Sequence, residues 1–216
     1  MLIYLTHQIK TMNKLLLILL SFVFVSCTRE EVLSQPQRPL RDSVYVKNAV
    51  FEVVYSEVLE QPKWLIYKST NRPTNVNRGS MDFYTEKDVH TSDSKDYYAN
   101  IWDKGHLAPA ATFSDNMENL KQTFSYLNCA LQDQYMNRGE WRLLEEQERK
   151  WDDNENLTIK VELQFNPGVK LLTNATVPSA MIKHIYFEKQ GIWKCYDFPN
   201  TRPFKGWEQH EVKHRH

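Results

Sequence analysis

Alternation of apolar and polar positions predicts several β-strands along the chain. Residues 50–58 and 64–67 indicate two strands joined through a turn at Gln61-Pro62. The alternation is clearest over 157–165, where every second residue is apolar. Two more strands are predicted downstream, over 177–187 and 191–198. The pattern therefore favours a sheet that faces a core on one side.

Fewer segments have helical periodicity. Residues 116–123 predict a short helix, and 138–151 predict a longer one in which Trp141, Leu144 and Glu148 lie on related faces. Residues 124–128 predict a buried strand, while the polar stretch 69–100 predicts a long loop of the kind that is usually functional. Strands and helices that do not alternate strictly predict an α+β fold with a mainly antiparallel sheet and packed helices.

The first residues resemble an export signal. Met12-Asn13-Lys14 precedes an apolar run, 15–25, and then Ser26-Cys27. This order predicts a bacterial lipoprotein signal over 1–26, with Cys27 as the lipidated first residue of an exported, membrane-anchored protein that faces the periplasm or the cell surface. An ordinary secretory signal is the alternative, because Phe24 stands where lipoprotein signals prefer leucine.

The remainder of the chain predicts one domain between polar ends. Residues 27–47 predict a flexible tether, 48–205 the domain, and 206–216 a polar tail. Cys129 and Cys195 lie within the domain, and export would permit a disulfide. The sequence leaves their pairing open, as it does the oligomeric state.

Charge sets a limit on how the protein could bind nucleic acid. The chain has 27 basic and 27 acidic residues, and two of the lysines belong to the predicted signal. Nucleic-acid-binding proteins often have a basic excess. Any affinity for nucleic acid must therefore come from a local patch or from a bound metal.

His106 is the first candidate for chemistry. It follows Gly105, whose missing side chain permits a sharp turn that would present the imidazole at a sheet edge. A histidine near neutral pH is partly uncharged, as a general base must be. The alternative is a hydrogen-bonded structural histidine.

A second group of candidates follows at helical spacing. Asn137, Trp141 and Glu145 are four residues apart, so an α-helix would place them on one face. An amide oxygen and a carboxylate suit Mg²⁺, which often uses only one or two protein ligands. The alternative makes Asn137 a helix cap, Trp141 a core residue and Glu145 a solvated charge.

Taken together, the motifs resemble those of a known enzyme family. The residues that carry the resemblance are Asp103-Lys-Gly-His-Leu-Ala-Pro-Ala110, Asn128 with Gln132, Asn137-Arg-Gly-Glu-Trp141, and Glu145. They are similar to those of the DNA/RNA non-specific endonucleases, which are ββα-metal (His-Me finger) nucleases. The resemblance is strong over 103–149 and weaker elsewhere. It implies an α+β domain that hydrolyses phosphodiester bonds of DNA and RNA.

The resemblance also implies roles for single residues. His106 would be the general base that activates water, and Asn137 the direct ligand of Mg²⁺ or of another divalent cation such as Mn²⁺. Glu145 would be the outer-shell partner of the metal site. Asn128 would match the family's other active-site asparagine.

Basic residues would contact the phosphate. The family has an upstream arginine for this role, which Arg78 matches better than Arg72. The family usually has arginine where this chain has Lys104. Lysine keeps the charge but loses the two-pronged hydrogen bonding of a guanidinium, so a phosphate contact there would be weaker.

Two other functions compete with this interpretation. Residues 210–214 match the H-E-x-x-H pattern of zinc proteases, which requires a helix and a third ligand. The second competitor is a surface lipoprotein that binds nucleic acid or another partner without catalysis. It would retain DNA in the presence of Mg²⁺ but not cleave it.

Overall fold

The computed structural model describes residues 38–213. The predicted signal, Cys27 and most of the predicted tether lie outside these residues. Within 38–213, no helix has the length and apolar character needed to cross a bilayer.

A seven-stranded antiparallel sheet forms the centre of the domain, as predicted. Its spatial order is β1-β2-β3-β6-β9-β10-β11. The other strands form two short pairs, β4 with β5 and β7 with β8. The strands are β1 (Val44–Lys47), β2 (Phe51–Ser56), β3 (Gln61–Ser69), β4 (Trp102–His106), β5 (Cys129–Asp133), β6 (Leu157–Gln164), β7 (Val169–Lys170), β8 (Thr176–Val177), β9 (Ala180–Phe187), β10 (Ile192–Pro199) and β11 (Glu211–Val212).

Register explains why the alternating segments form the centre of the sheet. Ile159 of β6 lies opposite Tyr67 on one neighbour and Ile185 on the other. All three side chains are buried, so the same face of each strand contributes to the core. Because successive residues on a strand point to opposite faces, this register buries every second residue of β6.

The sheet extends beyond the predicted domain limits of 48 and 205. Strand β1 falls in the segment predicted to be a tether, and β11 falls in the predicted tail. His210 is buried before β11: its Nδ1 lies 2.8 Å from the carbonyl oxygen of Asp197, and its ring stacks on Phe198. The zinc-protease pattern is therefore not on a helix, since His210 ends a 3₁₀ turn and a strand follows. His214 lies outside the described residues.

A hairpin-like pair of strands stands apart from the main sheet. Strand β4 runs antiparallel to β5, and His106 is opposite Cys129. Between them lie α1 (Met117–Thr123) and short 3₁₀ turns. The predicted helix over 116–123 is confirmed, with Asn116 as its cap. The strand predicted over 124–128 is wrong, because Tyr126–Asn128 is a 3₁₀ turn and the strand begins at Cys129.

The helical segment that follows β5 starts earlier than predicted. It consists of a single turn, α2 (Gln134–Met136), a π-helical segment (Asn137–Trp141) and α3 (Arg142–Trp151). The cap is Asp133, whose carboxylate accepts hydrogen bonds from the backbone N–H groups of Tyr135 and Met136. Asn137 is therefore not the helix cap, and its side chain is free of that role.

The π-helical segment and α3 pack against the sheet through large side chains. Trp141 meets Phe198 edge-on at 5.5 Å between ring centroids, and Trp151 meets Phe187 at 5.3 Å. The predicted face of Trp141, Leu144 and Glu148 is buried. The core thus fixes the helix on the side opposite to its exposed charges.

The two cysteines of the described residues do not form a disulfide. Both Cys129 and Cys195 are free and buried. The Sγ of Cys129 lies 3.2 Å from the hydroxyl of Tyr97, whereas the Sγ of Cys195 lies 3.3 Å from Nδ1 of His184. Burial raises the pKa of both thiols, which keeps them protonated at neutral pH.

Candidate active site

His106 is the last residue of β4 and lies among aromatic rings. Its ring centroid is 4.6 Å from that of Phe83 and 4.9 Å from that of Phe124. Its Nε2 is buried and has no hydrogen-bond partner within residues 38–213. A buried ring nitrogen without a partner is costly, and such groups are often found at functional sites.

The surroundings of His106 keep its imidazole neutral. Burial is the main cause, and the positive charge of Arg78 adds to it; together they lower the pKa of His106 to about 3. Desolvation and a like charge both disfavour the imidazolium. The ring is therefore uncharged throughout the neutral range.

Of the two candidate arginines, Arg78 is the one beside the histidine. Its guanidinium lies 5.1 Å from the centroid of Phe124, the ring that also contacts His106. Arg72 instead pairs with Asp115 at 3.2 Å and lies over Phe113. The geometry therefore supports Arg78, the preferred match, over Arg72.

Lys104 shares the His106 face of β4 but is already paired. Its Nζ contacts both carboxylate oxygens of Asp82, at 2.8 and 2.9 Å, and lies 5.8 Å from the ring centre of Tyr126. The hydrogen bond from Lys104 is the largest cause that lowers the pKa of Asp82. A phosphate contact by Lys104 would therefore compete with Asp82.

Gly105 serves close packing, not the sharp turn predicted for it. It lies within β4, and a Cβ atom added there would stand 1.8 Å from Oε1 of Gln132. Gln132 is itself buried in β5, the partner strand. The glycine thus allows the neighbouring side chain to cross the hairpin, a common reason for glycine within a strand.

Asn128 is hydrogen-bonded to the backbone on both sides of the hairpin connection. Its Oδ1 accepts from the backbone N–H of Ala108 at 2.7 Å. Its Nδ2 donates to the carbonyl oxygens of Ala108 and Thr123, at 2.9 and 2.8 Å. Because the buried amide is engaged by the backbone at both ends, Asn128 fixes the chain just after His106.

Asn137 is oriented by the strand that carries His106. Its Nδ2 donates to Oδ2 of Asp103 at 2.9 Å, which leaves Oδ1 available to a metal ion. Arg138 holds the same carboxylate through Nε at 2.8 Å and Nη2 at 2.6 Å. Asp103 precedes His106 by three residues, about 10 Å along a strand. One short strand therefore carries the imidazole and the anchor of the candidate ligand.

The expected common face of Asn137, Trp141 and Glu145 does not form by α-helical spacing. Asn137–Trp141 is π-helical, and Gly139 within it has a non-helical backbone, φ −104° and ψ −108°. The four-residue spacing therefore applies only from Trp141, which immediately precedes α3, to Glu145 within α3. The hydrogen bond to Asp103, and not α-helical periodicity, sets the position of the Asn137 side chain.

Glu145 is partly buried, and its environment raises its pKa. Burial is the largest cause and takes the pKa to about 7, while Lys183, Arg149 and the Trp141 indole favour the charged form and Glu148 opposes it. Glu145 is therefore not the solvated charge of the alternative interpretation. It titrates in the range where a proton-transfer or metal-linked role is useful.

A buried charge cluster that the sequence did not predict lies near Glu145 and includes Lys183 and Glu148. Lys183 and Glu148 are fully buried and 2.8 Å apart, and the hydroxyl of Tyr67 donates to Glu148 at 2.6 Å. The Nζ of Lys183 also lies 4.2 Å from the ring centre of Trp141. Arg149, four residues after Glu145, has a buried Nη1 with no hydrogen-bond partner within the described range. Its spacing from Glu145 was the available signal.

The family assignment agrees with this geometry. The model of the DNA/RNA non-specific endonuclease family matches residues 30–212. The chain belongs to this family. That match covers the hairpin, the π-helical segment and the whole described sheet, so the resemblance seen in the motifs extends through the domain.

Similar proteins agree with the family in sequence and in fold. Mitochondrial endonuclease G of Bos taurus is 34% identical over 76 residues, which is 34% of this chain and 25% of that protein. Mitochondrial nuclease EXOG of Danio rerio is 28% identical over 96 residues, 42% of this chain and 28% of that protein. These curated relatives are thus matched over about a quarter of their length.

A solved structure shows the same fold. It is the EndoG/EndoGI complex, described as revealing the mechanism of EndoG inhibition, and it aligns with a TM-score of 0.70 at 20% identity. The alignment covers 78% of this chain and 80% of that one. The predicted α+β fold with its ββα-metal motif is therefore confirmed.

Proposed function

We propose that the chain is a metal-dependent endonuclease that hydrolyses phosphodiester bonds in DNA and RNA without regard to the sugar. The observation that carries the proposal is the joint anchoring of His106 and Asn137 by strand β4. Asp103 on that strand fixes the amide of Asn137, and the strand ends at His106. Family membership supports the same reaction class.

His106 acts as the general base in this proposal. Its neutral imidazole takes a proton from the attacking water, and the water oxygen attacks phosphorus while the bond from phosphorus to the leaving oxygen breaks. Phe83 and Phe124 hold the ring in place. Arg78 provides a guanidinium for the phosphate next to that ring, so the group that binds the anion also keeps His106 neutral.

Asn137 holds the divalent cation through Oδ1. The donor set fits a hard cation: the amide oxygen remains for the metal because Asp103 accepts from Nδ2. Within the part of the chain that is described, no cluster of three or more His, Cys, Asp or Glu side chains is placed to bind a metal. Mg²⁺ suits such a site, since it keeps several waters and needs few protein ligands, and Mn²⁺ is the other candidate. When bound, the cation would stabilise negative charge on the phosphate and on the leaving oxygen.

Replacing Asn137 tests the metal site. Asn137→Ala removes the ligand oxygen, so we expect the Mg²⁺ concentration for half-maximal DNA cleavage to rise by at least about tenfold. EDTA should abolish cleavage by the parent protein. Calorimetric titration with Mn²⁺ gives a second readout that is independent of turnover.

Asn154→Ala is the matched control for this experiment. Asn154 is exposed just beyond the end of α3, and its amide makes only a long contact with the carbonyl of Lys150, at 3.5 Å. Its metal titration should match that of the parent. An unchanged titration in Asn137→Ala would remove Asn137 from the site. DNA retention by the parent in Mg²⁺ without any cleavage would favour the non-catalytic binding protein instead.

We further propose that the protein is exported and anchored to a bacterial membrane through a lipid on Cys27. The support is the order of basic start, apolar run and Ser26-Cys27 in the sequence. In cells fed labelled palmitate, the parent should incorporate label and Cys27→Ser should not. Equal labelling of the two would exclude this anchor.

A further inference from the structure

A cavity opens beside the arginine that neighbours His106. It encloses about 540 Å³, which is within the range of small-molecule sites, about 300–1,000 Å³. Its walls come from the loop before β4 and from the segment just after it. The lining residues are Thr74, Asn75, Val76, Asn77, Arg78, Ala110, Ala111, Ser114 and Leu120.

The lining of the cavity is partly apolar and partly polar, and its polar residues are called the rim. Val76, Ala110, Ala111 and Leu120 supply side chains that cannot donate or accept hydrogen bonds. The rim carries short amide and hydroxyl side chains, of which Asn77 still has its Nδ2 to offer because its Oδ1 accepts from Gly79. A flat, mostly apolar group with hydrogen-bonding edges matches both parts.

The loop wall of the cavity is fixed before any ligand binds. The backbone N–H groups of Asn75 and Val76 both donate to the carbonyl of Ser114, at 2.9 and 3.0 Å. Asn75 also donates through its side chain to the carbonyl of Asp115 at 3.0 Å. These bonds tie the loop to the opposite wall, so little ordering is needed when a ligand enters.

Arg78 links this cavity to the reaction centre. It lines the cavity and lies over Phe124, whose ring contacts His106 at 4.9 Å between centroids. Ala110 is four residues beyond His106 on the same segment. A group in the cavity would therefore lie beside a phosphate held by Arg78 in front of the imidazole.

We propose that this cavity binds the base and sugar of the single nucleotide next to the phosphate under attack. The inference rests on the proposed function and specifies its substrate. Charge complementarity supports this occupant, because a nucleotide is an uncharged base and sugar joined to an anion, and the cavity is an uncharged pocket with a guanidinium at its edge. The neutral rim contacts also agree with acceptance of any base.

A base that enters the cavity must leave the stack. Removing a base from the stack costs less free energy in a single strand than in a duplex, where a base pair must also be broken. The enzyme should therefore have a lower KM for single-stranded than for double-stranded nucleic acid of the same sequence. Contact with the base in the cavity, and not with the backbone alone, would cause this preference.

The test combines a filled cavity with a substrate that lacks bases. Ala111→Leu projects a larger side chain into the cavity from an exposed position, and Thr74→Phe fills it from the opposite wall if the first variant folds poorly. The substrates are a single-stranded oligonucleotide and the same strand with a central run of abasic residues. Ala49→Leu is the control, because Ala49 is an exposed alanine that does not line this cavity.

Filling the cavity should weaken binding only where a base is present. We expect Ala111→Leu to raise KM for the intact strand by at least about tenfold with kcat little changed, in line with the loss of one base contact. Its effect on KM for cleavage within the abasic run should be several-fold smaller, and Ala49→Leu should behave as the parent. Equal KM effects on both strands, or none on either, would overturn the inference while cleavage by the parent upholds the proposed function. No cleavage by the parent would overturn both.

Discussion

His106→Ala is expected to lower kcat for plasmid DNA cleavage by at least about 10²-fold, the lower end of what general-base catalysis contributes. In the proposed mechanism the imidazole at the end of β4 accepts the proton, and its Nε2 has no hydrogen-bond partner within the described chain. Alanine removes the acceptor but leaves the aromatic pocket in place. Single-turnover cleavage in saturating Mg²⁺ measures the effect without interference from product release.

The matched control is His90→Ala. His90 is exposed, contacts Glu60 at 3.1 Å and lies outside the β4 motif. Its loss should change kcat by less than about twofold, in line with other surface substitutions. If His106→Ala cleaves as fast as the parent, His106 is not the base.

The pH dependence of His106 gives an independent check. An unfolded histidine has a pKa near 6.5, and burial with Arg78 nearby lowers the folded pKa to about 3. Between these values the unfolded state binds a proton that the folded state does not, so this group makes folding less favourable as the pH falls from about 6.5 toward 3. The imidazole resonance missing in His106→Ala should therefore not titrate between pH 7 and pH 5.

Lys183→Met should cost about 3–5 kcal/mol of unfolding free energy, the usual effect of removing one partner from a buried ion pair. Lys183 and Glu148 are fully buried and 2.8 Å apart. Methionine would keep the length of the side chain but leave Glu148 as an uncompensated charge in the core. Urea denaturation of the parent and the variant measures the difference.

Two further variants make the stability test specific. Glu148→Gln combined with Lys183→Met removes both charges while leaving an acceptor for the hydroxyl of Tyr67, so it should recover much of the loss. Lys68→Met breaks a solvent-exposed pair with Glu188 and should cost less than about 1 kcal/mol. A loss below about 1 kcal/mol in Lys183→Met would contradict the role assigned to the buried pair.

The strands that the sequence predicts are those in which apolar and polar residues alternate. Strand β6 is recognisable because each buried position on it is apolar. Strand β4 is not, because its residues Asp103, Lys104 and His106 are polar. Asp103 and Lys104 instead pair with residues more than twenty positions away along the chain. Strand β5 was placed too early, since its buried positions include Gln132 and Asp133.

The candidate site was predicted by its residue types more than by its geometry. His106 and Asn137 were chosen from motifs, but the bond from Asn137 to Asp103 joins residues 34 apart, for which no local pattern exists. The buried pair was visible in principle. Lys183 alternates with Met181 and Ile185 on the buried face of β9. A lysine in such a row indicates a buried anion as its partner.

The kink at Gly139 in the π-helical segment divides the helical stretch into two halves, each held by different contacts. The downstream half is held by the aromatic contacts of Trp141 and Trp151 with the main sheet. The upstream half is held by the hydrogen bond from Asn137 to the carboxylate of Asp103 in β4. Changes in packing under α3 can therefore be taken up at Gly139 without displacing the Asn137 amide of the proposed site.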